Sequence, residues 1–228
     1  GRFETLWVQH LNPDERALQI KHWVDNIKAS TKKPLKVDDI LSKMPDGSDL
    51  DRLARTPMMV TTICIIYYYN HQLPEQRAQL YRRCINIMLT ESLRRDDPGR
   101  SLADWGGNPD LKRQLLARLA FKMHEAQEDE ISYQQAVTWL APGFNVAEEA
   151  QETKARAFLN TIKSRGSLLQ EHRHRYGFGR QHRTLREFLA GYHLILGMMP
   201  SERQTILADL IVTDHWREAI RLAVGAAM

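Results

Sequence analysis

A mainly α fold is predicted for this 228-residue chain: a small helical bundle, then a unit of three helices, one short β-hairpin and a further helix. Three observations predict it. Helix-start and helix-stop residues bracket apolar positions at 3.6-residue spacing along most of the chain. Only one stretch, around Ser167–Gly179, alternates like paired strands. The tract from Asp96 to Pro109, rich in Gly and Pro, separates the two halves like a linker.

The first start signal is Asn12-Pro13-Asp14-Glu15: a capping side chain, a first-turn proline and two acids at the positive end of the helix dipole. Leu18, Ile20, Trp23, Val24 and Ile27 continue it, and Lys32–Pro34 breaks it. A short helix over Val37–Met44 ends at Pro45-Asp46-Gly47, and Ser48 opens another. Pro57 then starts an almost wholly apolar helix reaching Tyr69, which an all-round apolar surface marks as buried. Pro74 opens a long amphipathic helix with Leu80, Tyr81, Cys84 and Ile85 on one face.

Beyond the linker, Asn108-Pro109-Asp110 repeats the first cap, and Leu111, Leu115, Leu119 and Met123 form the stripe that follows. An acidic turn over Glu125–Glu130 leads to Ile131. Ser132 caps a helix to Leu140, stopped by Pro142-Gly143. A further helix spans about Val146–Lys163 and ends at Arg165-Gly166. Ser167–Gln170 and Tyr176–Gly179 flank a basic turn and read as a hairpin with an exposed tip. Thr184-Leu185-Arg186-Glu187 has the form of a capping box ahead of Phe188, Leu189, Tyr192, Leu196 and Met199. Two more helices close the chain, from Ser201 and from Thr213. In the second half, helix–helix–helix–hairpin–helix is the order of a winged-helix domain. The predicted organisation is a helical domain over 1–98, a winged-helix domain over 99–200 and the start of a further helical domain over 201–228.

Composition narrows the function. A net charge of +4, with 26% charged and 43% hydrophobic residues, fits a globular chain and excludes collagen, coiled-coil rods and wholesale disorder. Cys64 and Cys84 sit in apolar stretches, as buried thiols of a reducing cytoplasm do. The longest apolar run, Met58–Tyr69, falls well short of the roughly 20 residues that a membrane span needs. Gly1 opens no signal peptide, and the stretch reads as part of a longer protein. There is no G-x-x-x-x-G-K-[ST], no H-E-x-x-H, no C-x-x-C and no G-x-S-x-G, so an autonomous catalyst is not expected.

The remaining chemistry is basic and imidazole-rich. Arg173, Arg175, Arg180, Arg183 and Arg186 make the hairpin region basic, and the first four predict an exposed basic surface: a wing gripping a nucleic-acid backbone, or a tip made soluble by arginines. His172, His174 and His182 stand among those arginines, which repel a cation, so a solvated hairpin and no metal site is expected. His182 lies two residues before Thr184, at the mouth of a helix amino terminus. There an imidazole either donates to a phosphate oxygen or satisfies a backbone carbonyl.

Two blocks together resemble a known family. Leu53-Ala54-Arg55-Thr56-Pro57-Met58-Met59 with Leu73-Pro74-Glu75-Gln76-Arg77-Ala78-Gln79-Leu80-Tyr81 resembles the helical segment after the nucleotide-binding core of NACHT-type ATPases. His182-Arg183-Thr184-Leu185-Arg186-Glu187-Phe188-Leu189-Ala190-Gly191-Tyr192-His193 resembles that family's winged-helix signature, and Phe3–Trp23 fits the lead-in from the core. The resemblance implies a STAND switch ATPase, a group that includes NOD-like receptors and bacterial antiphage proteins. It implies ADP or ATP with Mg held mainly by an upstream NACHT core, a downstream sensor domain, and homo-oligomerisation in defence signalling. It further implies that Pro57 lies against the nucleotide and that His182 contacts its β-phosphate. This stretch would then be regulatory rather than catalytic. The alternative is a winged-helix regulator that binds nucleic acid.

Overall fold

The computed structural model describes residues 10–28, 35–70, 72–74, 76–91, 109–165, 168–178 and 183–227. The Lys32–Pro34 break, the cap at Asn108, nearly all of the Asp96–Pro109 tract, Gly166, Arg180 and His182 lie outside them. The chain divides into two compact units, Gly1–Arg77 and Ala78–Met228. This division falls upstream of the tract that composition marks as the linker. Among the described residues no helix is long and apolar enough to cross a membrane.

The first unit holds α1 (Pro13–Lys28), α2 (Val37–Leu41), α3 (Asp49–Leu53) and α4 (Pro57–Asn70). At the head of α1, the Glu15 amide donates to Asn12 Oδ1 and the Asn12 amide donates to Glu15 Oε2, each at 2.9 Å. Ser48 caps α3 by accepting from the Asp51 amide at 3.1 Å. α4 behaves as its composition requires: from Met59 to Tyr68 no side chain is exposed. It packs on α1, where Ile20 and Val24 are fully buried and Trp23 meets Tyr68 edge-on at 6.1 Å. Leu18, counted in that stripe from its spacing, is instead exposed. Arg16 is buried and donates to Asp51, whose second oxygen accepts from the Gly47 amide at 3.0 Å. The Arg16 hydrogen bond, then the Gly47 amide, hold the Asp51 carboxyl below the ordinary carboxylate range.

The second unit runs α5 (Arg77–Glu91), α6 (Pro109–Glu125), β1 (Ile131–Ser132), α7 (Tyr133–Leu140), a 3-10 turn (Ala141–Gly143), α8 (Glu148–Arg165), β2 (Leu169–His172), β3 (Arg175–Phe178), α9 (Arg183–Tyr192), a π-helical turn (His193–Gly197), α10 (Pro200–Leu210) and α11 (Asp214–Ala227). The strands form one antiparallel sheet in the order β1-β3-β2, with Ile131 opposite Tyr176 and Leu169 opposite Phe178. Three helices, a first strand between the first two of them, and a closing hairpin make a winged helix. The strand β1 is a finding: the sequence reading placed only a cap there. Ser132 serves as strand end and cap at once, accepting from the Gln135 amide while its own amide donates to Gln135 Oε1 at 2.9 Å.

Several boundaries differ from expectation, α2 among them, which stops at Leu41 rather than Met44. α5 begins at Arg77, three residues after the proline expected to open it. α9 begins at Arg183, so Thr184 lies inside the first turn rather than capping it. Glu187 accepts from Arg183 Nε at 3.2 Å instead of closing a box. The π-helical turn after Tyr192 shifts the phase of the helix, which leaves Leu196 and Met199, expected on its apolar face, exposed. The core itself is as the spacing predicts. Leu115, Leu119 and Met123 of α6, Phe158 and Leu159 of α8, and Phe188 and Leu189 of α9 all lie within the buried interior. Cys64 and Cys84 are both buried free thiols, and desolvation pushes the Cys64 thiol up to about 12 and Cys84 higher still.

Candidate functional site

The sequence-predicted residues fall in two places, one on each unit. Pro57 occupies the first position of α4, where a missing N–H costs nothing, and it is exposed. Beside it the Met59 amide donates to Thr56 Oγ1 at 3.3 Å, so the helix is capped by Thr56 with the proline ring left outside.

On the second unit, a cleft of about 900 Å³ opens between the β2–β3 hairpin and the start of α9. Arg175 and Arg183 line it, and so does Arg186. Arg173 sits at the hairpin tip, exposed and outside the cleft. Arg173 and His174 form a two-residue turn with φ of 50° and 64°, the positive pair that a tight turn between twisted strands demands. His174 is almost fully exposed, with Nδ1 3.7 Å from Glu171. His172 is exposed too, and among the described residues no three His, Cys, Asp or Glu side chains come together as a metal site.

The arginines of the cleft are answered by acids, Asp129 and Glu130 from the acidic turn and Glu187 from α9. Arg175 donates to the Glu130 carbonyl at 2.5 Å, with its Nε 3.7 Å from the Glu130 carboxylate. Arg183 pairs with Glu187. Arg186 is 95% buried by its helix, donates to the Glu128 carbonyl at 3.0 Å and pairs with Asp129 at 2.7 Å. Its buried Nε has no partner among the described residues. The Glu128–Glu130 segment lies tight on the sheet, since a Cβ on Gly177 would meet the Asp129 carbonyl oxygen at 2.6 Å. Arg186 is the residue that sequence reasoning undervalued. Helical spacing held the signal, because Arg186, Leu189, Ala190 and His193 share one face and all are buried.

Chemically the cleft is a charge-balanced polar recess. It offers guanidinium donors beside the start of α9, and a helix amino terminus attracts anions. Among the described residues no nucleophile–base pair lines it. His182, the candidate phosphate contact, directly precedes α9 in the sequence and lies, with Arg180, outside the described residues.

No curated protein matches the chain. Residues 77–194, more than half of its length, match the winged helix-turn-helix domain C-terminal to NACHT. The matched span opens at the first residue of α5, takes in the α6–β1–α7–α8–β2–β3 order and the signature in α9, and stops inside the π-helical turn. With sheet topology and sequence match agreeing on the same stretch, the chain belongs to the family of winged helix-turn-helix domains that stand C-terminal to NACHT.

Proposed function

We infer that this stretch is the regulatory cover of a NACHT switch ATPase. It holds ADP in a closed state and, after exchange for ATP, frees surfaces for homo-oligomerisation in defence signalling. The observation that carries the reading is the match of residues 77–194 to a NACHT-associated winged helix. An exposed Pro57 at the head of α4 and a histidine immediately before α9 support it. In this reading Pro57 gives a nucleotide a flat apolar contact, and His182, next in sequence to α9, gives a phosphate a hydrogen-bond donor near a helix amino terminus. Mg, the Walker motifs and hydrolysis belong to the upstream core in this reading, and a sensor domain follows downstream.

The test uses the protein with its NACHT core. His182→Ala speeds ADP release by about 10- to 100-fold, the worth of one hydrogen bond to a charged group, and raises basal signalling. Wild-type nucleotide occupancy together with wild-type basal signalling would overturn the reading. Nucleic-acid binding has less support, because the acids facing Arg175, Arg183 and Arg186 cancel much of the field that a phosphate backbone would feel.

A further inference from the structure

We propose that α11 is held on the winged helix by a protonation-sensitive latch, in which His124 and His215 clasp each other at neutral pH and release in mild acid. The inference is independent of the nucleotide reading.

The geometry is reciprocal. His124, in the last turn of α6, and His215, in the first turn of α11, stack with ring centroids 3.9 Å apart and planes 15° from parallel. His124 Nε2 lies 3.1 Å from the His215 carbonyl oxygen, and His215 Nε2 lies 2.8 Å from the His124 carbonyl oxygen. Each ring therefore donates from Nε2 to the other residue's backbone, which fixes both as the Nε2–H tautomer. Trp216 closes the third side, edge-on to His124 at 4.4 Å, and Phe121 packs on Trp216 at 5.2 Å. His124 is 1% exposed, and its buried Nδ1 has no hydrogen-bond partner among the described residues. That atom is where a second proton would have to go.

The groups around it oppose that proton from every side. Burial is the largest effect; His215 from α11, then Arg186 and Arg183 from α9, add repulsion, outweighing the help of the His215 carbonyl. Together they bring His124 down to about 4. His193, in the π-helical turn that α11 also covers, sits 5.3 Å from Phe121. Burial first, and then Arg118 and Lys122 of α6, bring it down to about 4 as well. Opening α11 uncovers His124 to water, where an imidazole titrates near 6.5. The open form thus takes up protons that the closed form refuses. Closure is fully stabilised above about pH 6.5 and is lost as the pH falls toward 4, by close to tenfold per unit for each histidine.

The test is hydrogen exchange on the full chain from pH 7 to pH 5, reading α11 amides against α7 and α8 amides in the same sample. The ratio cancels the intrinsic pH dependence of exchange. Relative protection of α11 is expected to fall more than about tenfold, and a fall of less than threefold would overturn the latch. His124→Gln keeps a donor near the Nε2 position but cannot titrate. It should flatten the fall by at least half on a logarithmic scale, and the unaltered slope would count against His124. Should that variant fail to fold, the imidazole titration of the unaltered chain decides. A His124 midpoint below about 5 supports the latch, and one at the ordinary value near 6.5 sinks it.

Discussion

Arg173 and His174 occupy backbone positions that asparagine and glycine take far more readily. Both sit at positive φ at the tip of the β2–β3 hairpin, where each Cβ crowds the backbone at a cost of about 1 kcal/mol or more. Neither side chain is buried, so packing returns little of that cost. Replacing the pair, Arg173→Asn with His174→Gly, is expected to stabilise the second unit by about 1 kcal/mol. Urea denaturation at pH 7 measures it, and a midpoint at or below that of the unaltered chain would show that the tip has contacts that offset its strain. Arg186 is the opposite case. It is a buried charge whose partners, Asp129 and the Glu128 carbonyl, come from a segment 58 residues away in sequence, so it fixes a loop rather than a tip.

The same division between local and distant partners governs what the sequence disclosed at the level of elements. Asn12 with Glu15, Ser48 with Asp51 and Ser132 with Gln135 were readable, because each bond closes within four residues of chain. The strand β1 was not: two residues long, it exists only because Tyr176 and Arg175 lie beside it from 45 residues on. The cap at Thr184 is displaced because the helix starts two residues earlier than that cap implies, at Arg183, which takes Glu187 as its partner. In the candidate site, the arginines were legible as charge, but the acids that neutralise them were not, since pairing across a cleft leaves no periodic trace. Gly191 belongs to this distant class. A Cβ there would meet the Ala219 carbonyl oxygen of α11 at 2.0 Å and the Ala223 Cβ at 3.0 Å. Alanine gains about 1 kcal/mol over glycine as a helix former. A backbone oxygen cannot rotate away, however, so α9 and α11 must separate, at about 3 kcal/mol by the usual cost of overpacking. The net loss of about 2 kcal/mol is expected to lower Tm of Gly191→Ala by about 6 °C. Gly225→Ala, whose Cβ meets only the Ala78 methyl at 3.1 Å, should stay within a few degrees. Equal effects from the two would remove the close approach of α9 and α11 as the cause.

At the scale of the molecule, the net charge of +4 says less than where the charges sit. In a helix-turn-helix, the second helix enters the major groove and its exposed face must tolerate phosphates. Here that helix is α8, and its first two turns expose Glu148, Glu149 and Glu152. Arg156, the next cation on that face, is taken by Glu152 at 3.2 Å and Gln134 at 3.3 Å. The wing offers Arg173 free of the cleft, while Arg175 and Arg183 are paired with Glu130 and Glu187. Among the described residues, three carboxylates on the groove-facing helix outweigh one unengaged arginine at the tip, because like charges at a phosphate surface repel in a screened field of only about 10 Å reach. The chain should therefore bind duplex DNA no tighter than about 10⁻⁴ M at physiological salt, the weak end of non-specific association. Between 50 and 200 mM salt, gel mobility should change little, and Arg173→Ala with Arg175→Ala should change it no further. Reversing the three acids, Glu148→Lys, Glu149→Lys and Glu152→Lys, supplies the missing phosphate contacts and should create salt-steep binding where there was none. Tight, salt-steep binding by the unaltered chain that vanishes on neutralising the wing would instead make this winged helix a reader of nucleic acid, and would move the role of Arg173 from solubility to recognition.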